Sequence, residues 1–156
     1  MKKYYNDHSL VGKHTYFNKN MYEKYDIPAR EKLLNLMGDV LIENPDIYNQ
    51  DFIINDKLCK CKYKYLEVQV NANWEKINYP DSVISVYERK GKYDNDTLFI
   101  TLNKIMTRGY IFDRKSFSNK PRRLKKYSRE FVYDIQFNQA ILVELECLDV
   151  LTFELF

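Results

Sequence analysis

Apolar side chains recur at helical spacing most clearly over residues 27–42, where Leu33, Leu34, Leu36, Met37, Val40 and Leu41 mark one face. The pattern predicts an amphipathic helix there, with Asp26 as N-cap and Pro28 in the first turn. Gly38 weakens its second half by about 1 kcal/mol relative to alanine, and Pro45 closes the segment. Beyond it the alternation shortens to two, predicting strands at 51–54, 58–70, 82–89, 97–102, 109–112 and 131–137. Asn55-Asp56-Lys57 turns the first two into a hairpin. Residues 140–156 are densely apolar without a decisive period, and the expectation is a final helix. Residues 1–26 are polar and Tyr-rich, an arm leading into a single domain over 27–156. One helix followed by a mixed, hairpin-rich sheet predicts an α+β fold.

Length and composition change this picture little. At 156 residues, with 45% hydrophobic and 30% charged positions, one core forms without a disulfide or metal staple, so a metal would serve chemistry. Cys59, Cys61 and Cys147 have no framework spacing and read as free thiols of a reducing compartment. No apolar run approaches the roughly 18 residues of a membrane helix, and the first ten residues lack a secretory stretch. The expectation is a soluble intracellular chain, cytoplasmic or nuclear, a viral replication compartment included. Four glycines and four prolines among abundant Tyr, Asn, Lys and Ile fit AT-rich coding. No phosphate-cradling glycine loop or G-x-S-x-G elbow is present. Cys59-x-Cys61 lacks zinc-knuckle spacing, and His8 and His14 have no nucleophile motif beside them.

The informative stretch is Tyr65-Leu66-Glu67-Val68-Gln69-Val70 with Asp51 at the start of the partner strand. Residues two apart share a strand face, so Glu67 and Gln69 point one way while Leu66, Val68 and Val70 pack the other. Asp51 then approaches Glu67 across the pair. Two carboxylates beside a neutral amide oxygen make a hard, oxygen-rich site suited to Mg²⁺ or Mn²⁺. Such an ion neutralises a phosphodiester and lowers the pKa of bound water, which points to phosphodiester hydrolysis. Asp56 is a second nearby acid, but its place in the turn is met by a local backbone hydrogen bond.

These residues resemble the PD-(D/E)XK nuclease superfamily, the restriction-endonuclease-like fold of many restriction enzymes, Holliday-junction resolvases and repair nucleases. There an acid opens one strand of a hairpin, and an acid, any residue and Lys follow on the next; Asp51 and Glu67-Val68-Gln69 stand in those places. The likeness spans about residues 27–103 and implies a restriction-endonuclease-like core. It also implies Asp51 and Glu67 as metal ligands, and Glu31, near the start of the preceding helix, as a further ligand or the group positioning a metal-bound water. Gln69 replaces the motif lysine and cannot carry its charge, contributing instead through its carbonyl or by orienting water. Some members supply the lysine from a neighbouring element, which directs attention to Lys90 and Lys92, with Lys90 favoured.

Charge is segregated along the chain. Between 114 and 129, Arg114, Lys115, Lys120, Arg122, Arg123, Lys125, Lys126 and Arg129 occur without an acid, although the whole chain carries only +3. That segment predicts a nucleic-acid footprint, with DNA the expected partner and Phe117 and Tyr127 available to stack on bases or to anchor it. Lys60, Lys62 and Lys64 share parity with Leu66 and Val68, predicting a bulge or overhang. Trp74, Tyr79 and Tyr87 read as core or rim aromatics. The tail from Leu148 to Phe156 either completes the core or joins a homodimer. The expected function is a metal-dependent DNA endonuclease-like protein. The alternatives are a non-catalytic nucleic-acid-binding protein with a degenerate site, and a structural or interaction protein of an AT-rich DNA virus.

Overall fold

The computed structural model describes residues 19–124 and 130–156. His8 and His14, and Lys125, Lys126, Tyr127 and Arg129 of the basic segment, lie outside the described residues. Helix α1 (Lys19–Met21) passes through a π-helical turn, Tyr22–Asp26, into α2 (Ile27–Met37). Because the turn is continuous, Asp26 is itself helical and makes no side-chain cap, contrary to the expected N-cap. Ala29, Leu33 and Met37, four apart, form the buried stripe of α2. Gly38 does not sit inside the helix but ends it: its φ of 55° suits glycine, and its N–H donates to the Leu34 carbonyl. The helix therefore stops at Met37 rather than 42, and the chain enters β1 (Leu41–Glu43).

Strands β2 (Phe52–Ile54) and β3 (Tyr65–Asn71) continue β1 as an antiparallel meander. Residues 58–64 form a connecting loop instead of the first half of a long strand, because β2 is only three residues long and offers no further partner. Lys60, Lys62 and Lys64 are accordingly exposed in that loop. After β4 (Ile84–Tyr87) and a 3-10 turn, Glu88–Lys92, the chain returns as β5 (Thr97–Asn103), parallel to β3 along its whole length. β6 (Arg108–Asp113) adds antiparallel to β5. β7 (Arg122–Arg123) and β8 (Phe131–Ile135) pair with β4 in a second sheet, ordered β4-β8-β7.

The tail differs from the expected single helix. β9 (Ile141–Glu144) pairs with β6 and completes a six-stranded sheet, β1-β2-β3-β5-β6-β9, before a short helix, α3 (Val150–Glu154), capped by Asp149. Leu145, Leu148 and Phe153 are buried in the core, while Leu151 and Leu155 remain exposed.

The six-stranded sheet is covered on both faces. Leu66, Leu98, Ile100, Leu102 and Ile111 pack with Ala29, Leu33 and Met37 of α2. On the opposite face Phe99 and Phe112 pack with Ile84, Val86, Phe117 and Ile135 of the small-sheet layer. The result is a mixed α+β arrangement of helix, large sheet and small sheet. Among the described residues no helix is long and apolar enough to cross a membrane, and all three cysteines are free thiols.

Candidate functional site

The register of the meander brings the two predicted carboxylates together. Phe52 pairs with Leu66, so Asp51 comes opposite Glu67, just where β2 ends and β3 runs on. The Asp51 N–H donates to Glu67 Oε1 at 3.1 Å, and Asp51 Oδ2 accepts from the Val68 N–H at 2.9 Å. In a strand the N–H and C=O of one residue face the same edge, so the Val68 carbonyl also faces the stretch beyond β2. Both acids are buried, at 6% and 3% exposure.

Two cations reach this pair from opposite layers. Lys90, from the 3-10 turn after β4, places Nζ 2.8 Å from Glu67 Oε2 and 3.4 Å from the Val68 carbonyl oxygen. Arg30 of α2 donates to Asp51 Oδ1 at 2.8 Å and to Glu43 at 3.4 Å, with its guanidinium over the Phe52 ring. A small polar cleft of about 30 Å³, lined by Tyr22, Arg30, Asn44, Asp46, Gln50 and Asp51 among others, opens beside Asp51. It is roomy enough for a water.

Gln69 and Glu31 do not join this group. Although Gln69 shares a face with Glu67, its amide nitrogen donates to Thr101 Oγ1 at 2.6 Å and to the Ser85 carbonyl at 3.1 Å, locking it between β5 and β4. Its amide nitrogen is thus engaged within the sheet layers and not with Asp51 or Glu67. Glu31 is exposed on α2. One residue is about 100° of helix, and that step turns it away from Asp51. Arg30 is the residue sequence reasoning missed. Its signal was phase: Arg30 falls three and seven positions before Leu33 and Met37, in line with the buried stripe, whereas Glu31 is in phase with exposed Asn35.

The Asp51 and Glu67 carboxylates and the Val68 carbonyl, neighbours at this end of the strand pair, are hard oxygen donors. Their chemistry fits Mg²⁺ or Mn²⁺. Among the described residues no group of three His, Cys, Asp or Glu side chains gathers around one point. Arg30 and Lys90 already balance the two negative charges, and any incoming ion would compete with them.

Part of the basic segment is fastened beside this site. Arg114 donates from Nε to the carbonyl of Gly91, next to Lys90, at 3.1 Å. Arg122 grips Asp134 through Nε at 2.7 and 3.0 Å and approaches Ser85 Oγ at 3.4 Å. The hydrogen bond to Asp134 raises the Arg122 pKa, strengthening its hold on its proton. Ser85 is the residue whose carbonyl holds Gln69, so both ends of residues 114–122 attach to the stretch of chain supplying Lys90. Lys115, Lys120 and Arg123 are exposed, Arg123 lying over the Phe131 ring. Trp74 and Tyr79 are packed with Tyr110 and Phe137, as core aromatics. No family model, curated protein or solved structure matches the chain.

Proposed function

We propose that this chain is a metal-dependent nuclease with a restriction-endonuclease-like core, hydrolysing phosphodiester bonds of DNA. One observation carries the reading: Lys90, from a different element, brings its ammonium to 2.8 Å from Glu67, whose other carboxylate oxygen accepts from the Asp51 N–H, and this supports Lys90 as the replacement for the motif lysine. The order of elements also supports it: a helix, an antiparallel three-strand meander bearing both acids, then a strand parallel to the third.

Asp51, Glu67 and the Val68 carbonyl would hold the ion, which when bound supplies charge for the scissile phosphate and a more acidic water. The protein's own groups do the rest. Two of the three Lys90 N–H donors are directed at Glu67 and Val68, leaving one to orient a water or a phosphate oxygen. Arg30, at the cleft, offers donors to a neighbouring phosphate once it releases Asp51. Lys115, Lys120 and Arg123 give the backbone of the nucleic acid a positive track.

The complete pairing of both acids with cations favours a second reading, a nucleic-acid-binding protein whose site no longer cuts. Incubation with branched, single-stranded and duplex DNA in Mg²⁺ or Mn²⁺ separates the two. The nuclease reading expects metal-dependent cutting that Asp51→Ala and Glu67→Ala each abolish. Salt-sensitive binding without cutting overturns it in favour of the second reading.

A further inference from the structure

We propose that Arg114 is a positioning residue that joins the basic segment to Lys90, deepening the nuclease reading above, on which only its kinetic consequence rests. Lys90 lies in a five-residue 3-10 turn, Glu88–Lys92. Such a turn has poorer hydrogen-bond geometry than an α-helix, and a lysine side chain has much rotamer freedom to lose. Yet Lys90 is 8% exposed and aimed at Glu67. The turn must therefore be held from outside.

Two contacts converge on the adjacent residue, Gly91. Arg114 Nε donates to its carbonyl at 3.1 Å. That guanidinium lies over both the Phe117 ring, 4.6 Å from its centroid, and the Tyr133 ring, at 5.1 Å, two rings that also pack on each other at 5.4 Å. The Tyr133 ring also lies directly on Gly91: a Cβ at that position would come within 2.7 Å of Tyr133 Cε2. Gly91 is thus held by a hydrogen bond and by a ring that would have to shift to admit any larger residue. The backbone so fixed carries Lys90 one residue earlier. Arg114, which charge alone assigns to phosphate binding, spends its Nε donor and its ring contacts inside the protein. Lys115, next to it, is exposed and available to a phosphate.

Acetylation of the full-length chain by acetic anhydride, followed at Lys90 by peptide mass spectrometry, tests the assignment without requiring cleavage. The variants are Arg114→Ala, Arg114→Lys and Gly91→Ala, with Leu148→Ala as a control destabilised elsewhere. Lys90 should be modified about tenfold faster in Arg114→Ala, as expected on losing one charge-assisted hydrogen bond, and also faster in Gly91→Ala, where the added methyl group displaces the Tyr133 ring from the turn. Arg114→Lys, which keeps a cationic donor, should recover part of the protection. Labelling of exposed Lys115 and Lys120 should stay unchanged. If Lys90 reacts no faster in Arg114→Ala and Gly91→Ala than in Leu148→Ala at matched distance below Tm, the assignment is overturned. On DNA, Arg114→Ala should lower kcat by up to about a hundredfold with KM and its salt dependence intact. A raised KM with a shallower salt slope and unchanged kcat would identify a phosphate contact instead and overturn positioning. Absence of cleavage by the wild type would remove the nuclease reading while the acetylation result still decides the clamp.

Discussion

Replacing Lys90 with methionine tests the site's electrostatics through stability alone. The side chains of Lys90 and Glu67 are only 10% and 4% exposed, and their charged atoms are 2.8 Å apart. Methionine keeps most of the apolar stem but withdraws the ammonium from a buried carboxylate. Breaking a buried pair from one side costs about 3 kcal/mol, far above the 0–1 kcal/mol of an exposed pair. For a chain of this length the Tm should fall by roughly 6–12 °C. Glu67→Gln added to Lys90→Met removes the stranded charge, and the double variant should regain about 2 kcal/mol. Urea unfolding followed by fluorescence is suitable, because the chain's single tryptophan, Trp74, is fully buried. A loss below about 0.5 kcal/mol for Lys90→Met, with no recovery in the double variant, would refute the buried ion pair.

Arg30→Met should tighten Mn²⁺ binding about tenfold in calorimetry, because the guanidinium competes for Asp51; unchanged affinity would mean that the ion does not use Asp51. Burial, assisted by the hydrogen bond and charge of Cys61, pushes the Cys59 thiol from 9.0 up to about 12. The stability contributed by the protonated thiol is therefore complete below pH 9 and lost as pH rises towards 12, so urea midpoints of the wild type should fall more steeply there than those of Cys59→Ala. Parallel curves would contradict this. Alanine at Lys115, Lys120 or Arg123 should each reduce the salt slope of DNA binding by about one in a filter-binding series, and an unchanged slope would remove that residue from the footprint.

Strong periodicity and cross-strand pairing were readable from residue order; phase and context were less so. Ala29, Leu33 and Met37 announce α2, yet nothing in the order of residues distinguishes a glycine inside the helix from one that ends it at φ 55°. Alternation at 58–64 imitates a strand, but the three-residue β2 leaves it no ladder. β9 is an edge strand with Ile141 and Leu142 both exposed, so neither face imposes a period. The nearness of Asp51 to Glu67 follows from one antiparallel register, and that of Lys90 to Glu67 from the turn after the next strand. For Gln69, strand parity gives the face but not the β4 carbonyl that accepts from its amide.

The most direct test is anomalous scattering from crystals soaked in Mn²⁺. The account predicts one peak at coordination distance from the Asp51 and Glu67 carboxylates and the Val68 carbonyl, with Arg30 displaced from Asp51 and Lys90 still nearby. A map with no peak there, and with both Arg30–Asp51 and Lys90–Glu67 pairs intact at saturating Mn²⁺, would contradict it.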